Sequence, residues 1–113
     1  MKSYLLLIKG SFANSNLRSE DQRKEVITQF GKFAQELHTL GYMKGGDGCS
    51  ERSFRIHSQT STLNDSLLRP ETPDMVTGYF LIKVPSESDA FTIAKKCPAF
   101  HCDEYVELVP CGD

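Results

Sequence analysis

The 113-residue chain has room for one domain and not for two. Its hydrophobic fraction of 39% and charged fraction of 25% are those of a folded globular protein, which sets disorder aside. The formal net charge is −2 with acids and bases intermixed, so no basic block offers a footprint for nucleic acid. No apolar run reaches the roughly 20 residues of a membrane helix.

The chain opens Met1-Lys2-Ser3 and continues Tyr4-Leu5-Leu6-Leu7-Ile8 before Lys9. A secretory leader needs a longer apolar core than these roughly five residues. The segment reads instead as a strand, and the protein as cytoplasmic. Its apolarity is continuous rather than alternating, the pattern of a strand covered on both faces. A lone two-layer domain leaves one sheet face to water, so a homodimer is expected.

Gly10 to Leu17 reads as a polar loop. Ser19 followed by Gln22 forms a capping box, with Glu20 and Asp21 in a first turn that favours acids. Val26, Ile27, Phe30, Phe33, Ala34, Leu37 and Leu40 then recur at helical spacing and predict one amphipathic face. Gly41 suits the position just past the helix end.

Tyr42 to Gly46 predicts a short strand that runs into a glycine-rich turn, Gly45-Gly46-Asp47-Gly48. Ser53 to Ser58 alternates and predicts another strand, with Thr60 to Leu63 as a possible hairpin partner. Asn64 to Asp74 is rich in Asp, Ser and Pro and reads as loop. Met75 to Val84 predicts a strong strand with Phe80, Ile82 and Val84 on one face. After Pro85, Ser86 and Asp89 repeat the capping pattern, and Ala90, Ile93, Ala94 and Cys97 mark a short helix stopped by Pro98. Glu104 to Pro110 alternates as a last strand, and Cys111 to Asp113 reads as a tail. The order predicts an α+β domain over residues 1–113: a ferredoxin-like βαββαβ sandwich with an antiparallel sheet.

Cys49, Cys97, Cys102 and Cys111 form no C-x-x-C pair, so free thiols are expected. Cys97, His101 and Cys102 fall within six residues, a spacing too loose to predict a metal site. No cofactor motif is present: the Asp47 turn lacks both the P-loop ending and the dinucleotide spacing.

The same residues resemble a known family, the YCII-related proteins, in the branch that carries a DGPF signature. Lys2-Ser3-Tyr4-Leu5-Leu6-Leu7-Ile8 resembles that family's first strand, and Leu40-Gly41 with Gly45-Gly46-Asp47-Gly48 its helix end and glycine-rich turn. Val76-Thr77-Gly78-Tyr79-Phe80-Leu81-Ile82 resembles its Gly-Gly-Tyr-Tyr strand. Cys97-Pro98 and Tyr105-Val106-Glu107-Leu108-Val109-Pro110 resemble its closing segment. Asp65-Ser66-Leu67-Leu68 stands where Asp-Gly-Pro-Phe is expected and keeps only the aspartate; Thr77 and Val109 replace a Gly and an Arg. The resemblance implies a dimeric α+β barrel with two sheets face to face, pockets at the sheet, and a His–Asp acid–base pair.

His101, in a loop at a strand mouth, is the candidate general acid or base, with Asp65 (or Asp103) to orient it. It also fits a solvated loop histidine. Tyr79 beside Gly78, Asp47 in its glycine run and His38 at the edge of the helix stripe are candidate pocket-lining residues. Ordinary roles suit each as well: cross-strand packing, a turn, and a half-wet boundary. His57 shares a strand face with Arg55 and reads as solvated. No nucleophile motif is present. Two functions follow: a small-molecule enzyme using a His/Asp pair, or a non-catalytic dimeric module that binds or senses a small ligand. An apolar pocket without such a pair separates the second from the first.

Overall fold

The N-terminal apolar run forms β1 (Lys2–Gly10), which lies inside a sheet built with β2 (Met43–Gly48), β3 (Met75–Val84) and β4 (Tyr105–Cys111). This computed structural model describes residues 1–112. The sheet order is β2-β3-β1-β4, with every neighbouring pair antiparallel. Each half of the chain returns to the sheet through a helix, so the architecture is α+β and compatible with a ferredoxin-like plan.

The long helix α2 (Glu20–Thr39) follows a one-turn helix α1 (Phe12–Asn16) that occupies part of the expected loop. Its start is fixed reciprocally: the Gln22 amide donates to Ser19 Oγ at 3.2 Å, and the Ser19 amide donates to Gln22 Oε1 at 2.8 Å. Gly41 ends it with φ +76°, a left-handed conformation that glycine adopts without strain. The shorter α4 (Glu87–Lys95) is capped by Ser86, which accepts the Asp89 amide at 3.2 Å. Pro98 opens a 3₁₀ turn, Pro98–His101, rather than a plain loop.

Both helices pack on the same sheet face. Phe33 and Leu37 from α2, and Ala90, Ile93 and Ala94 from α4, close over Tyr4, Leu6, Ile8, Phe80, Ile82 and Val84. The Phe33 ring meets Phe80 edge-on at 5.3 Å. Each of the large side chains removed from water here contributes about 1.5–3 kcal/mol.

The other sheet face is open. Leu5 pairs with Leu81 and Val109 across the ladders, and Leu7 pairs with Tyr79. Leu5, Leu7 and Leu81 are half-buried, and Tyr79 and Val109 are exposed. Within one chain, β1 is therefore covered on one side only.

Four expectations are corrected. Residues 53–58 form no strand: Phe54 makes a single bridge to Leu67, and Ile56 is 72% exposed. Alternation gave that segment a face, but its backbone bonds locally, the Arg55 amide to the Ser66 carbonyl and the Leu68 amide to the Ser53 carbonyl, rather than joining the sheet. Thr60 to Leu63 makes no hairpin; Thr62 caps a short helix α3 (Leu63–Ser66). Gly45-Gly46-Asp47-Gly48 is not a turn but part of β2, and none of its glycines has positive φ. The reason for Gly46 is closeness: a Cβ there would lie 2.8 Å from the Tyr79 carbonyl oxygen and 2.9 Å from the Phe80 ring. The tail is shorter than expected, since Cys111 closes β4; Asp113 lies outside the described residues. Among the described residues, no helix is long and apolar enough to cross a membrane.

Candidate functional site

The apolar stripe of α2 is longer than the core it covers. Phe33 and Leu37 are buried, but Val26 and Phe30 are only partly so, and Ile27 is 72% exposed. Between this first half of the helix, α1 and the β2–β3 edge lies a cavity of about 460 Å³. That is within the range of small-molecule sites, which are mostly apolar with a few placed polar groups.

Apolar walls come from Phe12, Val26, Phe30, Ala34 and Phe80. Glycines line much of the cavity. Gly31, Gly46, Gly48 and Gly78 all line the space, and a Cβ at Gly31 would meet nothing within 4 Å. The helix therefore presents a bare backbone to the cavity where most residues would fill it.

Glu104 is the buried charged group of the wall, with its side chain 7% exposed. Arg18 Nη2 donates to its Oε1 at 3.1 Å and to the Cys102 carbonyl at 2.6 Å. Thr77 Oγ1 donates to the second carboxylate oxygen, with the Ile8 carbonyl also in reach at 3.3 Å. A buried carboxylate persists only when charge and hydrogen bonds replace its water, and Arg18 and Thr77 do so here. Gly10 leaves space for it, since a Cβ at that position would lie 2.8 Å from Glu104 Cγ. Asp103, immediately before, takes φ +59°, a left-handed conformation that Asp tolerates better than most residues.

The Arg18–Glu104 pair separates this cavity from a second, polar cleft of about 370 Å³. Arg18, Gln22, Gln29, His101 and Asp103 line the cleft, and Val26 borders both spaces. His101 and Asp103 are thus brought together beside Arg18. Asp65 is elsewhere: it is exposed in α3, where its amide donates to Thr62 Oγ1 at 3.2 Å, and it lines neither space. Tyr79 stands on the open sheet face. His38 is exposed in the last turn of α2, beyond the cavity. Asp47 does border the cavity, at the far end of β2, and its Oδ1 accepts the Gly48 amide at 2.8 Å.

The cysteines divide by depth. All four are free thiols; Cys97 and Cys102 are buried, Cys49 and Cys111 half-buried. Burial pushes the Cys97 thiol up to about 11, and burial likewise raises Cys102 and Cys49. Among the described residues, no group of three or more His, Cys, Asp or Glu side chains is placed to hold a metal.

Glu104, Arg18 and Thr77 were not among the residues singled out from the sequence. The available signal was the stripe itself, which carries more apolar positions than a two-residue core contact uses and has Gly31 set within it. The chain matches no family model and no curated protein.

Proposed function

We propose that this chain is a YCII-like protein that binds a small, largely apolar molecule in the cavity beneath α2, as a cytoplasmic homodimer. The observation that carries the reading is the cavity: apolar walls, open space at Gly31 and Gly48, and no histidine in its lining. A His–Asp pair is what the enzymatic reading asks for; His101 and Asp65 line no common space, and His101 meets Asp103 only in the separate polar cleft, not in the apolar cavity. Non-catalytic binding is therefore favoured over acid–base catalysis.

Gly31→Leu tests the site. The added side chain enters open space, and replacing a mid-helix glycine removes a penalty of about 0.5–1 kcal/mol, so the variant folds. Small apolar compounds that raise the melting temperature of the unaltered protein are expected to lose that effect in the variant. Compounds that stabilise both equally would place the ligand elsewhere.

The dimer rests on the open sheet face. Leu5, Leu7, Tyr79, Leu81 and Val109 form a contiguous apolar surface on the side that no helix covers. A second copy presenting the same face would bury it, as in an isologous pair of sheets. Sedimentation at micromolar concentration should give about twice the 12.7 kDa chain mass, and Leu7→Lys should halve it. A 12.7 kDa species in the unaltered protein would remove the dimer from the proposal.

A further inference from the structure

The polar chemistry of the cavity is one-sided, and we infer from it that the ligand carries a hydrogen-bond donor, an amine or hydroxyl, and not an acid group. The inference rests on the binding role proposed for this cavity. Among the described residues that line it, none is Lys, Arg or His. The charged groups of its lining are both carboxylates: Glu104, more than nine-tenths buried in the wall, and Asp47, exposed at the far end of β2. A carboxylate has about four lone-pair sites and no proton to give. Arg18 and Thr77 occupy one on each Glu104 oxygen, leaving capacity on both.

Thr77 adds no donor, because its hydroxyl proton is directed to Glu104 or to the Ile8 carbonyl. Ser15 Oγ donates to the Ser11 carbonyl at 3.4 Å. The cations of the first turns of α2 are engaged outside the cavity: Arg23 with the Asn16 carbonyl at 3.2 Å, Lys24 with Glu20 at 3.6 Å. Arg18 faces the polar cleft on the other side of the pair. A ligand acid entering among these apolar walls would meet a carboxylate with no cation on its own side. It would lose its hydration without replacement. A ligand N–H or O–H would instead find a fixed, charged acceptor, the stronger kind of hydrogen bond. The rest of such a ligand is apolar, matching Phe12, Phe30 and Phe80.

The test is a matched series on the full chain: 2-phenylethylamine, 2-phenylethanol and 3-phenylpropionate, read by calorimetry and thermal shift. The amine and the alcohol should bind, and the acid should bind at least roughly tenfold more weakly, the ratio set by one charge-assisted hydrogen bond. In Glu104→Gln the wall gains an amide donor and loses its charge, so the acid should gain affinity relative to the amine. Should that variant fail to fold, the series on the unaltered protein still decides. Equal binding of all three compounds, abolished by Gly31→Leu, would overturn the donor requirement and leave the binding site standing. Preference for the acid would overturn it too. Binding by none of the three would overturn both the requirement and the cavity reading.

Discussion

Toward its C-terminal end α2 presses Phe33 and Leu37 into the sheet, while nearer its start Val26 and Phe30 face the cavity and Ile27, 72% exposed, borders it at the rim. The same helical periodicity produces both. What differs is the opposing surface. Beneath Leu37 the core is completed by side chains of α4 and the central strands. Phe30 stacks on Phe80 with ring centroids 6.5 Å apart, but beside it the opposing strand is β2, whose Gly48 puts no side chain into the gap. A stripe of apolar residues is thus a statement about one surface only, and the partner surface decides whether it becomes core or binding site.

The sharpest way to break this comparison is truncation at both ends of the helix. Leu37 is 2% exposed, and Leu37→Ala should cost about 2–5 kcal/mol in urea-induced unfolding. A loss below 1 kcal/mol, in the range of surface sites, would mean that the sealed end is not sealed. Gly46→Ala comes next, at roughly 1–3 kcal/mol, because the new methyl group must displace the Tyr79 backbone or the Phe80 ring. No measurable loss there would show that β2 yields easily. Ile27→Ala should stay within about 0.5 kcal/mol, since that side chain is already in water. A large loss would imply that Ile27 is covered in solution.

The thiols sharpen the same contrast without changing stability at neutral pH. Cys97 belongs to the core cluster, while Cys49, next to the cavity-lining Gly48, is half-buried. At pH 8 a thiol reagent should modify Cys49 well before Cys97. Because burial raises Cys97 from an ordinary value near 9 to about 11, folding favours its protonated form. Its contribution to stability is complete below pH 9 and is lost as pH rises through 11. Stability measured from pH 9 to 11 should therefore fall more steeply in the unaltered protein than in Cys97→Ala. Parallel slopes would remove Cys97 as the cause.

Much of the fold was legible locally. The Ser19–Gln22 box, the Gly41 stop, the Ser86 cap and the strands at 3–9, 75–84 and 104–110 each announce themselves within a few residues. The cavity was not, because its determinants are distant in the chain. Arg18 and Glu104 are 86 residues apart, and neither side chain is unusual where it stands. Gly46 looked like a turn residue because glycine serves turns more often than strands. Its reason is the approach of β3, which no pattern within β2 contains. The histidines stand at the opposite extreme. Their chemistry is conspicuous in a sequence, whereas a missing side chain at Gly31 is not.

The glycines of β2 that line the cavity also weaken its wall. β2 lies at the edge of the sheet, half of its six residues are glycine, and its pairing with β3 slips between Met43 and Gly45. Glycine surrenders the most backbone freedom on folding, and an edge strand is held from one side only. The strand should accordingly open in excursions that leave β1 intact, giving faster amide hydrogen exchange at 43–48 than at 4–8. Such excursions would admit a ligand without unfolding the core, and a bound ligand would slow exchange in β2 before anywhere else. Uniform protection across the sheet would show instead that entry needs another route.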